Sequence, residues 1–222
     1  MGDMIQLTAG DGVKIGAYRA IPAGAPRGGI VVLKEIFGVN AHIRSVADLY
    51  AAQGYLAFAP ALFDRVEPDV ELGYDEAGLK RAYALIAKVD HAKTPLDIEA
   101  AVVQATLAGK VGIAGFCWGG SNAYRSACHL AHVAAAVGYY GGNIIKMVND
   151  TPKVPLMLHF GEKDDNIPMT DVARIKAAHP EVPVHAYPAG HGFNRDGSSS
   201  YDEASAKLAR ERTLAFFARH VG

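Results

Sequence analysis

The residues best suited to chemistry are one cysteine, one acid of a neighbouring pair and one histidine. Cys117 sits at the centre of Gly115-Phe116-Cys117-Trp118-Gly119, a G-x-C-x-G version of the G-x-S-x-G nucleophile elbow. In such an elbow the nucleophile occupies a strained strand-to-helix corner, and small residues on either side let strand and helix approach. The corner also presents the side chain to a helix N-terminus, whose free N–H groups and dipole favour an anion and so favour a thiolate. A cysteine nucleophile in acyl transfer needs a base that can return the proton, and a third group to orient that base. On this type of elbow the chain order is nucleophile, acid, histidine.

That order selects few candidates among nine histidines and twenty-three acids. After Cys117, Asp164 and Asp165 follow an apolar run by a tight glycine turn, in His159-Phe160-Gly161-Glu162-Lys163-Asp164-Asp165. A turn or helix-cap role is the ordinary reading for either one taken alone. His191 lies in Ala189-Gly190-His191-Gly192-Phe193, where flanking glycines free the backbone to aim an imidazole into a cleft. His159 falls inside an apolar run and reads as packing or surface, as do His129, His132 and His220 on or near helices. Ser121, one helical turn beyond the elbow, reads as capping or solvated, and Cys128 as a small buried residue.

Further residues have weaker cases. Glu35 ends the apolar run 30–33; beside Lys34 it reads as a solvated strand-end charge, or else as a carboxylate facing the elbow and able to accept a thiol proton. The backbone N–H groups of Ile36 and Trp118 stand where an oxyanion hole is expected, one after this strand and one after the nucleophile. Arg195, four residues past His191, could clamp an anionic substrate group; Arg81 and Tyr83 are further candidates on an earlier helix.

The elements that must hold these residues alternate along the chain. Residues 4–8 and 13–20 flank Gly10-Asp11-Gly12 as a β-hairpin. The uninterrupted apolar run 30–33 reads as a strand buried on both faces, and Asn40 as the cap of a helix to about 53. Strands are expected at 55–59, 111–116, 134–140, 155–160 and 182–187. Helices are expected at 76–89, at 94–107 with Thr94 as cap and Pro95 in the first turn, and at 118–130, 170–178 and 202–220. Residues 62–73 read as irregular. This alternation predicts an α/β fold with a mainly parallel sheet covered on both faces, in one domain spanning 1–222.

Composition narrows the function classes. The chain has 222 residues, half of them apolar, with 22 Lys plus Arg against 23 Asp plus Glu and no basic block, so a nucleic-acid partner is not expected. Cys117 and Cys128 are poorly placed to bridge, and no Cys/His cluster suggests a metal. Absence of an apolar leader and of any membrane-length run predicts a cytoplasmic protein without a membrane partner. No cofactor is expected.

Several segments together resemble the dienelactone hydrolases, or carboxymethylenebutenolidases. They are Glu35-Ile36-Phe37-Gly38-Val39-Asn40, Gly115-Phe116-Cys117-Trp118-Gly119-Gly120, Val137-Gly138-Tyr139-Tyr140-Gly141, the run from His159 to Pro168, Ala189-Gly190-His191-Gly192-Phe193, and the stretch 211–217. The resemblance covers almost the whole chain in order. It implies an α/β-hydrolase fold, a Cys117–Asp164–His191 triad, and Asp164 rather than Asp165, because the acid stands four residues before Pro168. It further implies that Glu35 holds and activates the thiol and that Arg195 meets a substrate carboxylate, while Arg81 and Tyr83 lie near the family's second arginine without clean alignment; Ile86 stands where the family has an aromatic. The expected activity is opening of a dienelactone or similar activated lactone or ester, a small-molecule substrate anionic in the family's pattern, through a cysteine thioester. A broad carboxylesterase or thioesterase on the same triad is the alternative, and a non-catalytic redox-sensing protein the alternative of another class.

Overall fold

The computed structural model describes residues 2–222, which group into two compact halves, the chain dividing between Val111 and Gly112. In the first half, β1 (Asp3–Thr8) and β2 (Lys14–Ala20) form the expected antiparallel hairpin. β2 runs antiparallel to β4 (Leu56–Pro60), and β4 parallel to β3 (Gly29–Leu33), giving the strand order β1-β2-β4-β3. Every residue of β3 is buried, as an apolar run without alternation requires.

Three helices accompany these strands. α1 (Ala41–Ala52) begins where expected, the Asn40 side chain accepting the Ile43 N–H at 3.2 Å. α2 (Glu76–Ile86) is capped by Asp75 and ends three residues before the sequence boundary, because its last turn tightens into bonds from Lys88 to Leu85 and Val89 to Ile86. α3 (Thr94–Ala105) corrects one expectation: its cap is Lys93, and Thr94 is already helical.

The second half carries β5 (Val111–Phe116), β6 (Val133–Tyr139), β7 (Leu156–Gly161) and β8 (Val184–Tyr187), in that spatial order. β6, β7 and β8 run parallel, so their C-terminal ends lie on one side. Between them come α4 (Trp118–His129), α5 (Met169–Ala178) and, after β8, α6 (Glu203–His220). α6 buries Ala206, Ala209, Thr213, Phe216 and Phe217, a helical stripe that packs on β6 and β7. Among the described residues, no helix is long and apolar enough to cross a membrane.

Candidate active site

The site in the second half is built from the loops that follow β5, β7 and β8, where ligands collect on parallel sheets. β5 runs directly into Cys117, which adopts φ 54°, ψ −113° and serves as the residue preceding α4. That conformation costs a non-glycine residue on the order of 1–3 kcal/mol and is held by its surroundings. The Cys117 N–H donates to the Tyr139 carbonyl at 3.0 Å, and its carbonyl accepts the Ser121 N–H at 3.1 Å, so both sides of the corner are tied down. The elbow glycine has a steric cause: a β-carbon on Gly115 would lie 2.0 Å from the Gly119 carbonyl oxygen. Gly115→Ala is therefore expected to cost about 3 kcal/mol of stability through overpacking, measured as a lower urea midpoint with an unchanged slope.

Cys117 Sγ lies 3.1 Å from His191 Nε2. His191 Nδ1 donates to Asp164 Oδ2 at 2.7 Å, and the second oxygen of Asp164 accepts the Asn166 N–H at 2.8 Å. The Asp164 side chain is fully buried while Asp165 is exposed, so geometry separates the two acids that the sequence left side by side. His191 carries opposing influences. Burial disfavours its charged form, but hydrogen bonds to Asp164 and Cys117 outweigh that, raising its pKa to about 10. A sulfur, an imidazole and a carboxylate thus stand in line, with an imidazolium favoured opposite the sulfur. Such a line can form a thiolate, deliver its proton to a leaving group and recover it from water.

The loop behind His191 is folded on itself. Gly192 has φ 76°, and the Arg195 guanidinium lies so close over it that a β-carbon would fall 2.8 Å from its central carbon. The expected arginine is therefore carried beside His191, its backbone N–H donating to the Gly192 carbonyl at 2.8 Å. A polar cleft of about 480 Å³ opens next to His191, with Lys163, Asn166, Ser200 and Tyr201 among its walls. A larger cavity of about 860 Å³ is lined by Pro155, Leu156, Pro183 and Phe216, at the strand ends away from Cys117 and His191.

Trp118 opens α4, mostly buried. Glu35 and Ile36 follow β3 in the first half, where Glu35 and Lys34 are both buried. A solvated strand-end charge is thus the wrong reading of Glu35. Lys34 is no surface neighbour either: its ammonium stands 3.1 Å from the centre of the Phe63 ring and 3.4 Å from the Glu35 carbonyl. Arg81 and Tyr83 are exposed on α2, and Arg81 is ion-paired with Glu67.

Other candidates also find their places. Ser121 is buried, neither cap nor solvated, and its Oγ accepts the Asn143 N–H at 3.0 Å. Both cysteines are free thiols. Cys128 is buried, and burial, reinforced by the nearby Asp150 carboxylate, pushes its pKa to about 11, as suits an inert core thiol. Sequence reasoning missed Tyr140, whose ring centre lies 5.1 Å from that of His191 and whose φ of 38° is left-handed. Its signal was the Tyr-Tyr-Gly at the end of β6, where a strained corner had room to form.

Comparison with known proteins agrees with this architecture. A family model, described as the dienelactone hydrolase family, matches residues 15–221. The chain is 38% identical over 225 residues to a carboxymethylenebutenolidase of Pseudomonas putida, covering 96% of this chain and 95% of the relative. It has the same identity and coverage with a carboxymethylenebutenolidase of Pseudomonas knackmussii. A crystal structure named "Putative Dienelactone Hydrolase", from Klebsiella pneumoniae, superposes with a TM-score of 0.86 at 31% identity, covering 99% of this chain and 100% of the other. The two halves are those of an α/β-hydrolase fold with a mostly parallel central sheet. The chain belongs to the dienelactone hydrolase family and is a hydrolase of esters or lactones.

Proposed function

We propose that the protein opens an activated lactone, of the dienelactone type, through a thioester formed on Cys117. The observation that supports this most directly is the unbroken line from Cys117 Sγ through His191 to the buried Asp164, at 3.1 and 2.7 Å. In this reading the Cys117 thiolate attacks the ring carbonyl, and the backbone N–H groups of Trp118 and Ile36 receive the developing oxyanion. Expulsion of the ring oxygen leaves a thioester and an enolate, which takes up a proton and becomes a ketone. Water then attacks the thioester as His191 removes its proton; the thiolate departs, and the product is a carboxylate. Glu35 is assigned the part of restraining the thiol before substrate arrives. Arg195, carried beside His191, is assigned the substrate carboxylate.

The nucleophile's own chemistry narrows the substrate. A thiol has a pKa near 8.5, whereas an ordinary alkoxide is the conjugate base of an acid about as weak as water, near 15.7. A tetrahedral intermediate bearing both expels the thiolate and reverts. Forward collapse requires a leaving group that is itself a stabilised anion, such as an enolate or phenolate. A panel of an enol-lactone, an aryl acetate and an ethyl ester tests this. The enol-lactone is expected to exceed the ethyl ester in kcat/KM by at least about a hundredfold, roughly 2.7 kcal/mol of transition-state preference. Equal rates would exclude the activated-lactone reading and leave a general esterase; no acyl adduct on Cys117 by intact mass would exclude the thioester.

A further inference from the structure

Beneath the elbow, four rings close on one another. Tyr139 ends β6, His159 lies in β7, Tyr187 ends β8, and Phe193 follows His191 by two residues. Successive ring centres are 4.5 Å (Tyr139 to His159), 5.7 Å (His159 to Tyr187), 5.1 Å (Tyr187 to Phe193) and 6.3 Å (Phe193 to Tyr139) apart. All four residues are buried. A histidine inside such a box must satisfy both nitrogens within the protein. Nδ1 of His159 is 2.8 Å from the Tyr187 hydroxyl, and Nε2 is 3.1 Å from the Thr213 hydroxyl of α6. Thr213 in turn shares a 2.6 Å bond with the Tyr139 hydroxyl.

One charged group sets the direction of this chain. Arg212 Nη1 donates to the Tyr187 hydroxyl at 3.0 Å, and a guanidinium can only donate. The Tyr187 oxygen is thus an acceptor there, and its own buried hydrogen needs an acceptor, which His159 Nδ1 at 2.8 Å supplies. That places the histidine's single hydrogen on Nε2, donated to Thr213. Protonation of the second nitrogen is opposed by burial, by His185 stacked 5.5 Å away on β8 and by the Arg212 charge on α6. The facing groups on β6 and β8, Tyr139 and Tyr187, are both held neutral with raised pKa values, chiefly by burial.

The box is coupled to the reacting pair by the backbone. The Tyr139 carbonyl accepts the Cys117 N–H at 3.0 Å, and the His159 carbonyl accepts the Tyr140 N–H at 2.7 Å. The Tyr140 ring then packs 5.1 Å from that of His191 and 5.3 Å from that of Phe193, which follows His191 by two residues. We propose that His159, held as the neutral Nε2–H tautomer, is a positioning residue that pins β6, β7, β8 and α6 together and thereby fixes the distance from Cys117 sulfur to His191. The proposal rests on the reading of Cys117 and His191 as the reacting pair.

The test uses the full chain labelled with nitrogen-15 histidine. Long-range nitrogen–proton correlation is expected to show His159 as the Nε2–H tautomer, unchanged from pH 5 to pH 9. A titration in that interval, or an Nδ1–H pattern, would overturn the proposal whatever the activity. The functional arm compares Tyr187→Phe, Thr213→Val and His159→Leu with His159→Gln, whose amide offers both a donor and an acceptor. The first three are expected to lower both kcat and the iodoacetamide alkylation rate of Cys117 by about 10- to 100-fold with little change in KM, and the glutamine variant to recover part of the loss. If His159→Leu does not fold, the two single-group deletions carry the test. Lower melting temperatures with unchanged kcat and an unchanged alkylation–pH profile would mean a structural role alone. Full activity of Cys117→Ala would instead refute the thioester reading, while the tautomer measurement would stand on its own.

Discussion

Replacing Cys117 with alanine is expected to lower kcat on an activated lactone by at least about 10⁴-fold, with the folded protein and substrate binding retained. The magnitude follows from how a nucleophile and its base act as a unit: removing either loses most of what the unit contributes, and only oxyanion donors and binding remain. Folding should survive because Cys117 is only partly buried, and its structural role is carried by its backbone bonds to Tyr139 and Ser121. Cys117→Ser separates the chemistry from the geometry. Serine keeps the shape, but its oxygen is not a stabilised anion, and His191 must then remove a much less acidic proton. The serine variant should be slower on enol-lactones and proportionally less discriminating against ethyl esters, because the nucleophile no longer departs more readily than an alkoxide. Steady-state kinetics on both substrates, together with intact mass of the acylated protein, read these outcomes. An alanine variant within tenfold of the parent would refute the nucleophile assignment.

Much of this site was legible in the sequence, where local rules and tertiary demands coincide. The Gly115 elbow, the run buried in β3 and the Asn40 cap all follow from local sterics or hydrogen bonding, and each appears in the structure as read. Thr94 failed because a turn closed by Asp90, from Ala92 N–H to its carboxylate at 2.9 Å, leads straight into α3 and leaves Thr94 no extended conformation in which to cap. Glu35 and Lys34 misled for a different reason. A charge at a strand end is usually solvated, and the Phe63 ring that receives the Lys34 ammonium comes from a loop far along the chain. His159, read as a packing or surface residue, is buried as packing requires, but its hydrogen-bond partners were hidden. Within an apolar run it reads as filler, and its partners Tyr187 and Thr213 lie 28 and 54 residues away. The available clue was Thr213 on the buried stripe of α6, a polar residue that needs a partner inside.

The adjacent acids allow a paired experiment in which sequence position is nearly constant and environment is not. Asp164→Asn is expected to lower kcat by about 10⁴-fold, whereas Asp165→Asn should stay within about twofold. Asp164 is buried and accepts from His191 Nδ1 and the Asn166 N–H; Asp165 is exposed. An asparagine at 164 can turn its NH₂ group toward Nδ1, which makes that nitrogen an acceptor and moves the imidazole hydrogen to Nε2. The base then faces Cys117 with its proton already in place and cannot take the thiol's. The pH dependence should change in a definite direction. Removing the carboxylate removes the first of the influences that raise the His191 pKa to about 10, so its titration, followed by proton–carbon NMR of the ring, should move down. The native pair contributes stability that is full below the unfolded histidine value near 6.5 and is lost as pH rises through 10. The Asp164→Asn protein should therefore be less stable than the parent at pH 6 and approach it above pH 10. An unmoved His191 titration would show that the carboxylate does not hold the imidazolium, and equal losses in the two variants would return the choice between Asp164 and Asp165 to the ambiguity of the sequence.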